Sequence, residues 1–202
     1  APGLADSRNL AWKAAEAFFA VMELPGGAAI ALEKRIPAQA GMAGGSADAA
    51  AVLIGLDRLY GTNLPLARLQ EIGLSLGADV PYCLVGGTAL VEGIGEKVAS
   101  LPTLEGCFFA AVKPPFGIST GAAFSAFDQG KAIRRPNTPG LLAAMEKRDF
   151  PTMALCMENA LEGAAGRQGE LDSLRSALLA QGALAARMTG SGSVCLGLFT
   201  EK

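Results

Sequence analysis

The stretch Pro37–Leu56, PAQAGMAGGSADAAAVLIGL, limits the fold more than any other part of the chain. Gly41, Gly44 and Gly45 lie among other small residues, and Ser46, Ala47 and Asp48 lead into an almost wholly apolar run. Glycine permits positive φ and close backbone approach. Ser and Asp start helices well, because their side chains accept first-turn amide hydrogens. The pattern predicts a glycine loop feeding a helix over 49–56 that is apolar on every face and therefore buried. Such an end gathers unpaired N–H groups and the positive end of the helix dipole at one place. That place suits an anion, a phosphate above all. No lysine follows the glycines, so this is not a P-loop, and GxGxxG is absent too. A plain glycine turn into a core helix explains the spacing equally well.

Composition narrows the classes. The 202 residues are half hydrophobic and 18% charged, which fits a globular chain of one large domain or two small ones. A net charge of -2 and the lack of any Lys/Arg block argue against a nucleic-acid surface. No apolar run nears the roughly 18 residues of a membrane helix, and no secretory signal is visible. A cytoplasmic protein is expected. Cys83, Cys107, Cys156 and Cys195 are far apart, without metal spacing, and read as reduced core thiols; no resident metal site is expected. There is no histidine, so any catalysis uses carboxylate, lysine, hydroxyl or backbone groups.

Periodicity and turn residues predict the elements in order. A helix covers 9–22, a turn 24–28 and a strand 29–34. After the glycine loop and buried helix, a break at 60–63 precedes a helix over 66–76, ended by Gly77. GADVPY, at 77–82, reads as a helix-to-strand connection. A hairpin follows, with strands 88–92 and 96–99. The segment 102–106 is the expected boundary between two subdomains, 1–104 and 105–202. Then come a buried strand 107–113, helices 119–127, 139–147, 150–161 and 170–181, an exposed loop 131–138, and strands 184–188 and 194–199.

Two further features could carry chemistry. Asp79 lies between Gly77 and Pro81, which stiffens the connection. It reads either as a turn-capping residue or as a functional acid. Met188–Ser193, MTGSGS, is either a hairpin turn or a set of amides and hydroxyls closing a pocket around phosphates.

Taken together, these three features resemble the GHMP small-molecule kinases. Pro37–Asp48 is similar to that family's P-x-x-x-G-L-G-G-G-S-S-D/N loop, and Met188–Ser193 to its C-terminal glycine motif. GADVPY resembles the matching segment of one branch, as do Asn9-Leu10, Lys34–Pro37 and Val91–Glu96 in the same order. The resemblance spans essentially the whole chain. It implies an α+β fold in two subdomains, with an S5-like N-terminal part and a ferredoxin-like C-terminal part, and an active site in the cleft between them. It implies Mg-ATP-dependent phosphorylation of an alcohol, in this branch the 2-hydroxyl of a cytidine-diphosphate-linked methylerythritol in isoprenoid precursor synthesis. Pro37, Ala38, Gln39, Ala40, Gly41, Met42, Ala43, Gly44, Gly45, Ser46 and Ala47 would wrap the ATP phosphates, with Ser46 touching phosphate or Mg2+. Asp79 would accept the hydroxyl proton or orient the hydroxyl. Thr120, Phe124, Gly190, Ser191 and Gly192 would line the substrate pocket, with the Phe124 ring on the cytosine. A monomer or homodimer acting on a small molecule is expected. Another GHMP kinase, or a non-catalytic nucleotide-binding fragment of one, are the alternatives.

The chain departs from the pattern in places. Ala43 stands where the family commonly has Gly, tolerable if φ is negative there. Ala47 lacks the usual hydroxyl. The family's opening strand, with its Lys and Asn, and its Tyr-His pair are not in the 202 residues, nor is its C-terminal end. The chain by itself is therefore expected to show little turnover.

Overall fold

A computed structural model describes residues 7–130 and 136–201. The chain separates into two compact units. One takes the chain up to Arg35 together with Ala43–Thr103; the other takes Ile36–Met42 and everything from Leu104 onward. The glycine stretch is therefore not one piece. Ile36–Met42 belongs with the second unit, while the helix it feeds belongs with the first.

The first unit is built on helices α1 (Leu10–Met22), α2 (Gly44–Tyr60), α3 (Leu66–Leu76) and α4 (Val80–Val85), followed by the antiparallel hairpin β1 (Thr88–Glu92) and β2 (Lys97–Leu101). Asn9 caps α1 by accepting from the Ala11 amide at 3.0 Å. Ala11, Ala14 and Phe18 are the buried face of α1, at helical spacing. Ala14 and Phe18 meet Ala49, Ala50, Leu53 and Leu56 of α2, Leu69 and Ile72 of α3, and Val80 of α4. Burying side chains such as Phe18 and Leu53 completely contributes roughly 1.5–3 kcal/mol each. Contrary to expectation, α2 is not buried all round: Ala51 and Gly55 are exposed, and Leu59 is 72% exposed. Helices cover it on one side only, and its small outward residues cost little in water.

Residues 29–34 do not form a strand. Alternation alone cannot make one, because a strand exists only against a partner whose N–H and C=O groups complete the ladder. Among the described residues this segment has no such partner, and Ala29–Glu33 are all exposed. GADVPY likewise leads into a helix rather than a strand. Pro81 sits in the first turn of α4, where its missing N–H does no harm.

The second unit holds an antiparallel sheet of β3 (Phe108–Val112), β4 (Ala185–Met188) and β5 (Cys195–Phe199), in the order β3-β5-β4. Alternation divides its side chains between two helical layers. Ala186, Met188 and Cys195 pack with Ala123 of α5 (Thr120–Gln129) and with Leu171 and Leu178 of α8 (Gln168–Ala180). Ala185 and Leu198 point the other way, onto Ala144 of α6 (Thr138–Lys147) and Met153 and Ala154 of α7 (Phe150–Cys156). β3, predicted as a buried strand, is one of the sheet's two edges, with Phe108 41% and Phe109 48% exposed. α7 ends at Cys156, five residues before the predicted end of that helix, and a short 3-10 turn at Glu162–Ala164 intervenes before α8. Part of the predicted loop 131–138, residues 131–135, lies outside the described residues.

Candidate functional site

In the second unit, two glycine-containing segments distant in sequence lock together. The Ser193 amide donates to the Gln39 carbonyl at 3.3 Å, and the Val194 amide to that of Ala40 at 3.1 Å. The Thr189 hydroxyl donates to the Gly41 carbonyl at 3.1 Å. Gly41 has φ +69°, and a Cβ there would overlap the Thr189 carbonyl oxygen and come within 2.7 Å of the Gly192 nitrogen. Glycine is needed there for both reasons. The Gly192 amide closes the 189–192 turn onto the Thr189 carbonyl at 2.9 Å. The Ser191 and Thr120 hydroxyls lie 2.8 Å apart, so the start of α5 joins the same group. Ala40, Gly192 and Ser193 are buried, whereas Pro37, Ala38, Gln39, Met42, Thr120 and Gly190 are exposed. Phe124, on α5, is 50% exposed and presents an open ring.

The N-terminus of α2 is different. The helix starts at Gly44, and Ala43, not Ser46, is the N-cap. Ala43 has φ +49°, so the condition under which alanine is tolerated there, a negative φ, is not met; it holds a left-handed conformation that alanine adopts at a cost. No side chain caps the helix. Among the described residues, the amides of Gly44, Gly45 and Ser46 have no protein acceptor, while the Ala47 amide bonds to the Ala43 carbonyl at 2.9 Å. Ser46 is buried. Asp48 does not cap either; it forms an ion pair with Lys34. With its carboxylate neutralised, the first turn of α2 keeps its positive character.

Asp79 is exposed and does not cap α4 through its side chain. Its backbone is tightly held. Val80 and Pro81 beside it are fully buried, and Gly73 lets α3 approach so closely that a Cβ there would lie 2.9 Å from the Val80 side chain. On the other side the β1–β2 turn closes in: at Gly95, with φ +104°, a Cβ would overlap the Ala78 carbonyl oxygen and lie 2.7 Å from its carbon. A solvent-facing carboxylate on a loop braced from two directions is well placed to meet a ligand group. Burial, with Asp79 adding to it, pushes the Cys83 thiol up; burial also raises Cys107 and Cys195. These three thiols are poor nucleophiles at neutral pH.

Among the described residues no group of three or more His, Cys, Asp or Glu is placed to hold a metal ion. A surface cavity of about 560 Å3 lies against α8 and β4. Its Arg175 is taken by Glu162 and Asp172, and its Arg187 donates to the Met157 and Ala186 carbonyls. Both of its arginines are therefore already partnered within the chain.

Comparisons with known proteins show the family. The profile described as "GHMP kinases N terminal domain" matches residues 9–87, and "GHMP kinases C terminal" matches 141–202. The chain belongs to the GHMP kinase family, and its fold is α+β. A 4-diphosphocytidyl-2-C-methyl-D-erythritol kinase of Clostridium botulinum is 44% identical over 197 residues, covering 97% of this chain and 70% of that protein. One of Lachnoclostridium phytofermentans is 42% identical over 198 residues, covering 98% and 68%. A crystal structure of 4-(cytidine 5'-diphospho)-2C-methyl-D-erythritol kinase matches with a TM-score of 0.75 and 34% identity, over 98% of this chain and 70% of that one. A homoserine kinase from Cytophaga hutchinsonii has a TM-score of 0.82 at 23% identity, over 96% and 67%, and shares the fold alone. Among the described residues no helix is long and apolar enough to cross a membrane.

Proposed function

We propose that this kinase chain phosphorylates the 2-hydroxyl of 4-diphosphocytidyl-2-C-methyl-D-erythritol with ATP, in the non-mevalonate route to isoprenoid precursors. The observation that carries the reading is the open set of Gly44, Gly45 and Ser46 amides at the start of α2, in a chain 44% identical to a kinase named for that substrate. Phosphoryl transfer needs positioning and stabilisation of charge on the transferred oxygens more than covalent chemistry. Amide donors and a helix dipole supply that without histidine.

Pro37–Ala47 enclose the ATP phosphates, and Ser46 lies beside them at the helix start. Asp79 accepts the hydroxyl proton or aligns the hydroxyl for attack. Thr120, Gly190, Ser191 and Gly192 line the alcohol's pocket, and the exposed Phe124 ring stacks on cytosine. Mg2+ bound with ATP would neutralise charge on the phosphate oxygens, with Ser46 at the start of α2 as the residue beside it. On this reading residues 1–104 are the nucleotide-binding part and 105–202 the substrate side of a cytoplasmic monomer or homodimer.

The test is Asp79→Asn in the full-length kinase, assayed by coupled ADP release with that alcohol. Turnover should fall by about 10²–10⁴-fold with the melting temperature and ATP affinity unchanged. Near-normal turnover refutes the role of Asp79.

A further inference from the structure

α7 stops at Cys156 although the residues after it, Met157–Leu161, are mostly apolar and could extend a helix. What those residues do instead is hold the glycine turn. The Asn159 side-chain amide donates to two carbonyls of the 188–190 segment, Met188 at 2.7 Å and Gly190 at 2.8 Å. Its oxygen accepts from the Leu161 amide at 2.9 Å, which fixes the orientation of the group: turned over, it would place oxygen against oxygen. Three residues on, the Glu162 carboxylate accepts from the Met188 amide at 2.7 Å and is itself held by Arg175 at 2.6 Å. The turn is thus gripped on one side by Gln39–Gly41 and on the other by Asn159 and Glu162.

We infer that Asn159 is a positioning residue for the kinase reaction. It holds the Met188–Gly190 backbone so that Ser191 meets Thr120 and the turn presents a formed surface to the alcohol substrate. This rests on the functional reading above, in which Gly190–Gly192 line the substrate pocket. The Nδ2 group satisfies two carbonyls of a turn that is too tight to satisfy them itself. Without that donor the carbonyls turn to water, and the turn samples other shapes.

Asn159→Asp isolates the donor. It keeps the shape and the acceptor for Leu161, but sets a carboxylate against two carbonyl oxygens. Asn159→Ser is the milder, uncharged variant; its hydroxyl can still cap locally but is too short to reach both carbonyls. Amide hydrogen exchange should accelerate about tenfold at Gly192 and Ser193 in both variants, with β5 unchanged. In the full-length kinase, kcat/KM for the alcohol should fall about tenfold while KM for ATP shifts by less than about threefold. A merely structural role would depress both substrates together. Wild-type exchange at the turn in both variants, or wild-type kcat/KM for the alcohol, overturns the inference. If the wild-type enzyme transfers no phosphate to this alcohol, the functional reading falls, and the exchange measurement still decides whether Asn159 holds the turn.

Discussion

The two glycine-rich regions of this chain use glycine for opposite ends. At Gly41 and 189–193 the backbone groups are turned inward: amides, carbonyls and the Thr189 hydroxyl bond one another, and glycine is there because nothing larger fits. At Gly44–Ser46 the small residues leave amides open, uncapped by any side chain. The backbone groups of the first region are mutually bonded; those of the second stay open, which is the state the proposed phosphate site requires. Similar strings of small residues can therefore bond their backbone groups to one another in one place and leave their amides open in another. The difference shows only when the partner of each amide is counted.

Three substitutions test that contrast. The largest effect is expected from Gly41→Ala. A Cβ there meets backbone on two sides at a positive φ, so unit stability should drop by about 2–4 kcal/mol, seen as a lower denaturant midpoint. A loss below about 0.5 kcal/mol would mean that the interlock is loose.

The far end of α2 is closed like the turn, and it gives the second test. Asp57 accepts from the Leu64 amide at 2.8 Å and the Thr62 hydroxyl at 2.6 Å. These bonds, the Leu64 amide first, hold its carboxyl below the ordinary range. A lowered folded pKa means stability that is present above the unfolded pKa and lost as pH falls through the folded one. Asp57→Ala should cost about 1 kcal/mol at neutral pH. That gap should narrow as pH drops below the ordinary carboxylate range. A gap independent of pH would assign the loss to packing.

The smallest effect is at the open end. Ala43→Gly relieves the left-handed strain at φ +49°. Set against the extra freedom of the unfolded chain, it should raise stability by about 0.5–1 kcal/mol. An unchanged or lower melting temperature would show that the surroundings hold Ala43 there without cost.

Much of the helical framework could be read locally. Asn9 caps α1, Gly61 follows α2 in a left-handed conformation, and the spacing of Leu69, Ile72 and Gly73 marks the buried face of α3. The glycine loop, GADVPY and MTGSGS marked the candidate site as well, because each is a contiguous string. Asn159 carried no such mark, since its partners lie 29 and 31 residues away. Its one trace is a helix that ends early. The pairing of Asp48 with Lys34 was hidden for the same reason, and Asp48 was read as a helix starter instead.

The chain by itself determined what depends on neighbours within a turn or two: helix periods, caps, and the places where only glycine allows the backbone to pass. It also determined the family, because the three loops carry recognisable strings in order. Only the tertiary structure decided whether residues 29–34 had a strand partner, which face of α2 met the core, and which glycine amides were already bonded. Each of those depends on groups brought together across long stretches of chain, and neither side-chain periodicity nor a short motif encodes who stands opposite.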